Sequence, residues 1–144
     1  YLTENIWRKI YDGKNLNFLS DDYFDVSISC NCFEHNPHWK SNLADMYRVT
    51  KEEGHLIVQI ASRGFDEHGT ERTDPSLSLA SQEKGWNYYR NVTLKEFLNE
   101  SSKLDFKYHY ITYNPFSRDL YFFGKKSEEQ PNNPKSGKTV LGYS

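Results

Sequence analysis

A strand, helix and strand pattern in the first half of this sequence constrains its fold more than any other feature. In Phe24–Cys30, apolar side chains alternate with smaller or polar ones at the period of two that is typical of a strand. After Pro37, apolar side chains recur at helical spacing from Trp39 to Thr50 and predict an amphipathic helix. The almost unbroken apolar run His55–Ala61 predicts a buried parallel strand.

The connection after this helix and the long segment beyond the second strand contain many turn-forming residues. Lys51–Gly54 is expected to end the helix with a glycine that takes a positive φ. From residue 62 to residue 89 no periodicity remains, and glycines and proline are scattered among charges. Such a long irregular segment in a compact domain is usually functional or mobile.

The last third of the chain predicts a helix, a hairpin and a tail. Thr93 followed by Glu96 predicts a capping box at the start of a helix. The β-rich runs 106–113 and 120–123 predict an antiparallel hairpin. Residues 128–144 are polar and rich in turn formers, so we expect a disordered tail.

Composition narrows the function classes. The 144 residues carry a formal net charge of −2, so no overall positive field favours nucleic acid or anionic lipid as a partner. No run approaches the ~20 apolar residues of a membrane span. Two cysteines, Cys30 and Cys32, are too close for an ordinary disulfide and too few for a secreted scaffold, which favours the cytoplasm.

Two segments carry a family resemblance. Residues 22–35 read DYFDVSISCNCFEH and residues 46–58 read MYRVTKEEGHLIV. They resemble the middle of class I S-adenosylmethionine-dependent methyltransferases of the broad small-molecule type, which have a D-x-F-D-V-V-x-S strand, an F-E-H turn and an R-V-L-K-P-G-G helix end. Here Thr50 replaces leucine and Glu52-Glu53 replaces Pro-Gly. Upstream, YDGKNL at residues 11–16 looks like the family's G-D-A-E-N-L element.

The resemblance implies an α/β fold with a partial Rossmann-like sheet. This partial sheet corresponds to strands 4-5-7-6 of the family order, with an antiparallel C-terminal hairpin. The strands that begin near residues 24, 55, 120 and 106 are then neighbours in that order, and only the strand near 120 is antiparallel. The family's G-x-G-x-G loop has no counterpart among these 144 residues. We therefore expect residues 1–127 to be a partial methyltransferase domain whose upstream half is missing, followed by the tail 128–144.

The missing upstream strand has two expected consequences. The edge of strand 24–30 would offer unpaired backbone groups, which predicts self-association through that edge or poor solubility. The glycine-rich loop and the acid that grips the ribose hydroxyls would also be absent. We therefore expect this chain alone to bind S-adenosylmethionine weakly or not at all.

The resemblance also implies a cofactor, S-adenosylmethionine, at the carboxyl ends of the strands. Its contacts are expected to be Asp12 and Gly13 near the adenine, and Ser29, Cys30 and Asn31 beside the methionine portion. His35, in the turn that follows, is a candidate catalytic base, or it hydrogen-bonds its own loop. Candidates for substrate contact lie in or beside the irregular segment: Arg63, His68, Trp86, Tyr88 and Tyr89.

Three functions remain open at this point. The first is methyl transfer to a small-molecule acceptor, and the second is a non-catalytic methyltransferase-like module that binds another chain. The third, a small zinc protein, would use Cys30, Cys32, His35 and His38. That spacing is too cramped for the paired ligands of a usual structural zinc site, so we expect no metal site.

Overall fold

The structure is a computed structural model that describes residues 15–128 and 139–141. The strands are β1 (Phe24–Cys30), β2 (Thr50–Ala61), β3 (Phe106–Asn114), β4 (Asp119–Lys126) and β5 (Thr139–Leu141). The helices are α1 (Trp39–Val49), α2 (Leu79–Glu83) and α3 (Leu94–Ser101), and single 3₁₀ turns form at Phe33–His35 and Pro75–Ser78. The apolar residues 7–11 also predict a short strand, and they lie outside the described residues.

The described strands form one mixed sheet in the order β1-β2-β4-β3-β5. β1 and β2 are parallel, with Val26 opposite His55 and Cys30 opposite Gln59. β4 is antiparallel to both β2 and β3. The predicted order of the first four strands and the single antiparallel strand are therefore confirmed.

β5 is an addition to the predicted sheet. It pairs in parallel with β3, with Val140 opposite Tyr110. The chain therefore forms a short strand within the tail that we expected to be disordered, and at residues 139–141 that expectation is wrong. Residues 129–138 and 142–144 lie outside the described part of the chain, so the domain boundary near residue 127 stays a prediction.

The connection between α1 and β2 differs from the prediction. α1 ends at Val49 and β2 begins at Thr50, whose hydroxyl donates to the Met46 carbonyl at 2.6 Å. The positive φ of 59° belongs to Glu53 and not to Gly54. A Cβ on Gly54 would lie 2.8 Å from the Lys51 carbonyl oxygen and 2.9 Å from that of Asp25. Gly54 is therefore needed where the β2 backbone lies close to β1 and to its own first turn of chain at Lys51, and the predicted glycine stop is wrong.

The last helix and the hairpin agree with their sequence signals. The Thr93 hydroxyl accepts from the Glu96 amide at 3.2 Å, and the Glu96 carboxylate accepts from the Thr93 amide at 3.0 Å. This reciprocal pair is the predicted capping box, and it satisfies two amides that a helix start leaves unpaired. β3 and β4 pair antiparallel from Phe106 to Lys126, which confirms the hairpin.

One face of the sheet is covered by helices α1 and α3. Phe97 of α3 is fully buried, stacks on Trp39 of α1 at 6.2 Å and contacts Phe122 at 5.1 Å between ring centroids. The other side chains of this core come from α1 and from the facing side of the strands, and they include Leu43, Met46, Leu56, Val58, Ile60, Ile111 and Leu120. Aromatic rings thus supply much of the buried volume.

The opposite face of the sheet stays open among the described residues. The strand register places Ile28, Ile57, Phe123 and Tyr110 in one row across four strands. Ile28 is 62% exposed, and Val26 beside it in β1 is 45% exposed. β1 is an outer strand of the sheet, and self-association through it stays a prediction. No helix among the described residues is long and apolar enough to cross a membrane.

Candidate functional site

The carboxyl end of β1 forms a fixed corner. β1 ends at Cys30, and Asn31 takes a φ of +49°, which non-glycine residues adopt infrequently. The Asn31 amide donates to the Gln59 carbonyl at 2.9 Å, which ties this residue to the neighbouring strand. The chain then turns through the 3₁₀ turn Phe33–His35. The residues just after β1 are therefore held against the end of the sheet.

A cavity of about 310 Å³ opens beside this corner. β1 and its corner contribute Ile28, Ser29, Cys30, Asn31 and His35, and the opposite wall includes Asn42, Met46, Ala80, Ser81, Lys84 and Trp86. Its volume lies at the lower end of the range of ~300–1,000 Å³ for small-molecule sites. In open α/β sheets, ligands bind outside the carboxyl ends of the strands, which is where this cavity lies.

Two titratable side chains are buried in the 3₁₀ turn. Glu34 is 0% exposed, and neither of its carboxylate oxygens has a hydrogen-bond partner among residues 15–128. Burial raises the pKa of Glu34 to about 7, although nearby backbone amides and His68 act in the opposite direction. Burial also lowers the pKa of His35 to about 4, and the Nδ1 atom of this ring has no hydrogen-bond partner in the described part of the chain. His35 is therefore neutral near pH 7.

His68 and Tyr89 complete a cluster around His35. The Nε2 atoms of His35 and His68 lie 3.1 Å apart, and the His68 Nδ1 atom lies 3.1 Å from the Asp66 carbonyl oxygen. The Tyr89 ring lies 5.3 Å from that of His35 and 4.9 Å from that of His68, between centroids. Burial raises the pKa of Tyr89, so its hydroxyl stays neutral and donates to Asn91 at 2.9 Å.

The segment 62–89 packs down on this cluster. Gly69 has a φ of +70°, and a Cβ there would lie 2.5 Å from the Ser78 Cβ and 3.0 Å from the His35 Cε1. The Gln82 side chain donates to the Gly69 carbonyl at 2.9 Å and connects α2 to the same loop. The segment contains a 3₁₀ turn and the five-residue α2, both too short to leave a helical period in the sequence.

The structure brings together most of the site residues predicted from sequence. Ser29, Cys30, Asn31, His35 and Trp86 line one cavity. His68 and Tyr89 lie against His35.

The other predicted site residues lie elsewhere. Tyr88 is half-buried and Arg63 is exposed, and neither lines the cavity. The Arg63 carbonyl accepts from the Tyr113 hydroxyl at 2.8 Å. Asp12 and Gly13 lie outside the described residues.

Glu34 is the site residue that sequence reasoning passed over. It stands directly before His35 in the resemblance, but no feature of the sequence shows that its carboxyl group is buried without a partner. The only sequence signal for a functional role of Glu34 was its position in the turn after a strand of a parallel pair. Free Cys30 and Cys32 are exposed, and the Cys32 thiol donates to the Cys30 carbonyl at 3.1 Å.

Residues 8–58 match a protein family described as a methyltransferase domain. By sequence, no curated protein matches the chain significantly. Among solved structures, a S-adenosylmethionine-dependent methyltransferase of Thermotoga maritima is 17% identical with a TM-score of 0.52, over 80% of this chain and 61% of that one. A Bacillus halodurans protein assigned as a methyltransferase is 12% identical with a TM-score of 0.53, over 81% and 70%.

A third similar structure contains ligands. It is the Haemonchus contortus phosphoethanolamine N-methyltransferase 2 in complex with phosphomonomethylethanolamine and S-adenosylhomocysteine, 11% identical with a TM-score of 0.51, over 76% of this chain and 35% of that one.

These comparisons define the class of the fold. The chain has the Rossmann-like fold of S-adenosylmethionine-dependent methyltransferases, in an open and partial form. It spans about three-fifths of the length of the Thermotoga maritima enzyme. At these identities the solved structures establish the fold, and the family match covers β1, α1 and β2 as far as Val58.

Proposed function

We propose that the protein carrying this chain transfers a methyl group from S-adenosylmethionine to a small-molecule acceptor. The observation that carries the proposal is the cavity at the carboxyl end of β1, in a sheet with the strand order of methyltransferases. Small-molecule sites are concave and mostly apolar with a few polar groups, and this lining combines Ile28 and Met46 with Ser29 and Asn31.

The residues present fit one side of the cofactor. Ser29, Cys30 and Asn31 would hold it from the end of β1, and the apolar side chains of the cavity would exclude water. When bound, the cofactor supplies a methyl group on a positively charged sulfur. No G-x-G-x-G motif occurs in these 144 residues, so we propose that this chain alone binds it weakly.

The protein's own part in methyl transfer is to align the acceptor, exclude water and remove a proton where the acceptor has one. We propose His35 for the last role, because it lines the cavity and is neutral near pH 7. Trp86 lines the opposite wall and is proposed to contact the acceptor. The two free cysteines support a cytoplasmic location.

Calorimetric titration with S-adenosylhomocysteine tests the proposal. Each missing charge-assisted hydrogen bond would contribute about 1.5–3 kcal/mol, so we expect a dissociation constant weaker than micromolar by a few powers of ten. Filling the cavity with Ala80→Trp should abolish the heat. Leu79→Trp is the matched control, because Leu79 is the exposed neighbour of Ala80 in α2 and does not line the cavity.

Two results would count against this proposal. Absence of binding by a version restored with its upstream half would remove the cofactor from this cavity, and binding that survives Ala80→Trp would place it elsewhere. Micromolar binding would contradict the expectation that the glycine-rich loop is required.

A non-catalytic module that binds another chain is the second candidate. The observation that favours it is the row of Ile28, Ile57, Phe123 and Tyr110 on the face that no described helix covers, because large exposed apolar patches mark interaction sites. Sedimentation velocity would then show association that Ile28→Glu abolishes. Leu77→Glu, at an exposed residue away from the sheet, should have no effect. Association of this kind without any ligand heat would favour the module over the enzyme.

A further inference from the structure

The geometry points to a divalent transition-metal site, of the kind that zinc occupies, formed by Glu34, His35 and His68. One oxygen of Glu34 and one nitrogen of each imidazole lie within 4.8 Å of one another. Glu34 and His35 are consecutive in the 3₁₀ turn after β1, and His68 reaches them from the irregular segment. The site itself is independent of the proposed methyl transfer, and only its role in catalysis rests on that function.

The two imidazoles present nitrogens to a common point. The Nδ1 atom of His68 donates to the Asp66 carbonyl, which leaves a lone pair on Nε2. A metal-binding histidine usually donates its other ring N–H to such a carbonyl, because this fixes the tautomer and the ring orientation. Two nitrogens 3.1 Å apart that each bind one ion at about 2.0–2.1 Å subtend an angle of about 100°, near the tetrahedral value.

His35 is incompletely satisfied in either tautomer without an ion. If its Nε2 atom carries the hydrogen, the buried Nδ1 lone pair has no donor. If Nδ1 carries the hydrogen, that N–H has no acceptor, and two Nε2 lone pairs face each other at 3.1 Å. A cation between the rings removes that repulsion.

Glu34 supplies the third ligand and the negative charge. None of the described residues forms a hydrogen bond with its two oxygens, although the side chain is fully buried. Buried charges in proteins are paired or coordinate metals. A bound divalent cation would give this carboxylate the partner that the described side chains do not supply.

The ligand set determines what the ion would do. Two histidines and one glutamate leave a fourth position for water or substrate, as in catalytic zinc sites. Of the three ligands, His35 lines the cavity, so the proposed ion would lie next to an acceptor held there. A divalent cation lowers the pKa of an oxygen that it binds. The site therefore favours an acceptor with an ionisable hydroxyl group. With the ion bound, the ion and not His35 would promote the deprotonation of that hydroxyl group.

Metal titration of the whole chain tests the site. Zinc is titrated calorimetrically and cobalt(II) by its visible absorption, without S-adenosylmethionine. The parent carries Cys30→Ser and Cys32→Ser so that the exposed thiols cannot bind the metal. We expect one equivalent of metal, and a loss of affinity of at least tenfold in each of Glu34→Gln, His35→Ala and His68→Ala. The control is His38→Ala, an exposed histidine three residues from His35.

Three outcomes of the metal titration would count against the site. Failure of the folded parent to bind metal, or equal binding by parent and His68→Ala, would overturn the site, as would an equal loss in His38→Ala. Circular dichroism establishes folding, and if His35→Ala does not fold, the half-exposed His68 decides the result. Because no cofactor is present, a failure here leaves the proposed methyl transfer standing, and a missing cofactor site leaves the metal site standing.

Discussion

The two ends of the sheet differ in whether their buried polar side chains have partners. At the amino ends of β1 and β2, charges are paired across neighbouring elements, with N–O distances of 2.7 Å for Lys126–Asp22, 2.8 Å for Lys51–Asp25 and 3.0 Å for Lys107–Glu53. At the carboxyl ends, exposed charges are also paired, as in Arg118–Asp66, but buried atoms of Glu34, His35 and Asp119 have no hydrogen-bond partner among the described residues. His109, within β3, is the other described residue with unpartnered buried atoms.

This contrast distinguishes the end of the sheet that contributes stability from the end that contains the candidate site. Buried polar groups are normally hydrogen-bonded, and those that are not need an explanation. Two glutamates show the difference: Lys125 and Lys107 lower the pKa of Glu53, whereas burial raises that of Glu34. Perturbed pKa values cluster at functional sites, and the raised pKa of Glu34 and the lowered pKa of His35 occur in the turn beside the cavity that His35 lines. The paired end holds the strands together, and the unpaired end is the candidate site.

The largest effect is expected from Gly69→Ala at the unpaired end. A positive φ costs alanine about 1–2 kcal/mol, and overlap with Ser78 and His35 adds about 1–3 kcal/mol. The matched control is Gly85→Ala, which has a φ of +68° but no atom within 4 Å of the added Cβ, so it should lose only the first amount. Urea unfolding measures both. Equal losses would show that the loop does not pack tightly on His35.

The next effect is a pH dependence that Glu34→Gln removes. Since the folded state raises the pKa of Glu34 from 4.5 to about 7, it binds more protons than the unfolded state between these values. The stabilisation is complete below pH 4.5 and is lost as pH rises to about 7. The stability of Glu34→Gln relative to the parent should therefore increase across this window, by on the order of 3 kcal/mol.

The measurement is urea unfolding at a series of pH values, with a chelator present. The free energy of unfolding of the variant is compared with that of the parent because His35 has the same pH effect in both proteins, which cancels in the difference. The lowered pKa of His35 makes stability fall as pH drops from 6.5 towards 4, opposite to the effect of Glu34. Glu53→Gln is the control at the paired end and should show no gain with rising pH, because the pKa of Glu53 is lowered. A flat Glu34→Gln difference would contradict the unpaired state of this carboxyl group.

A smaller effect is expected at the paired end. The Lys126 ammonium is largely buried and donates to Asp22 at 2.7 Å, to the Thr50 carbonyl at 2.8 Å and to the Tyr47 carbonyl at 3.1 Å. Lys126→Met should cost about 1.5–3 kcal/mol because these acceptors lose a charged donor. Lys51→Met removes an exposed pair and should cost at most about 1 kcal/mol. Thermal and urea unfolding measure both costs. Equal costs would show that the Lys126 ammonium is as solvated as that of Lys51.

Local signals predicted much of the fold but only part of the site. The capping box at Thr93 and the hairpin followed from patterns a few residues long, and the strand order came from the family resemblance. The end of α1 was mispredicted because Gly54 looked like a stop, whereas the Thr50 hydroxyl closes the helix on Met46. β5 lies in a polar tail without a strand pattern.

The meeting of His35 with His68 could not be read from the sequence. The two residues are 33 positions apart, and their contact depends on how the segment 62–89 folds back over the end of β1. That path is set by Gly69 and by the five-residue α2, which is too short for a periodic pattern. The burial of Glu34 depends on the same packing.

Amide chemical-shift mapping with S-adenosylhomocysteine tests most directly whether the carboxyl end of β1 is the cofactor site. Shift changes should concentrate at residues 29–32 and at Trp86, and the paired end around Asp22 and Asp25 should stay unchanged. This method detects millimolar binding, so a weak complex is sufficient. Changes at the paired end alone would contradict the assignment of this corner as the cofactor site, as would the absence of changes in a version restored with its upstream half.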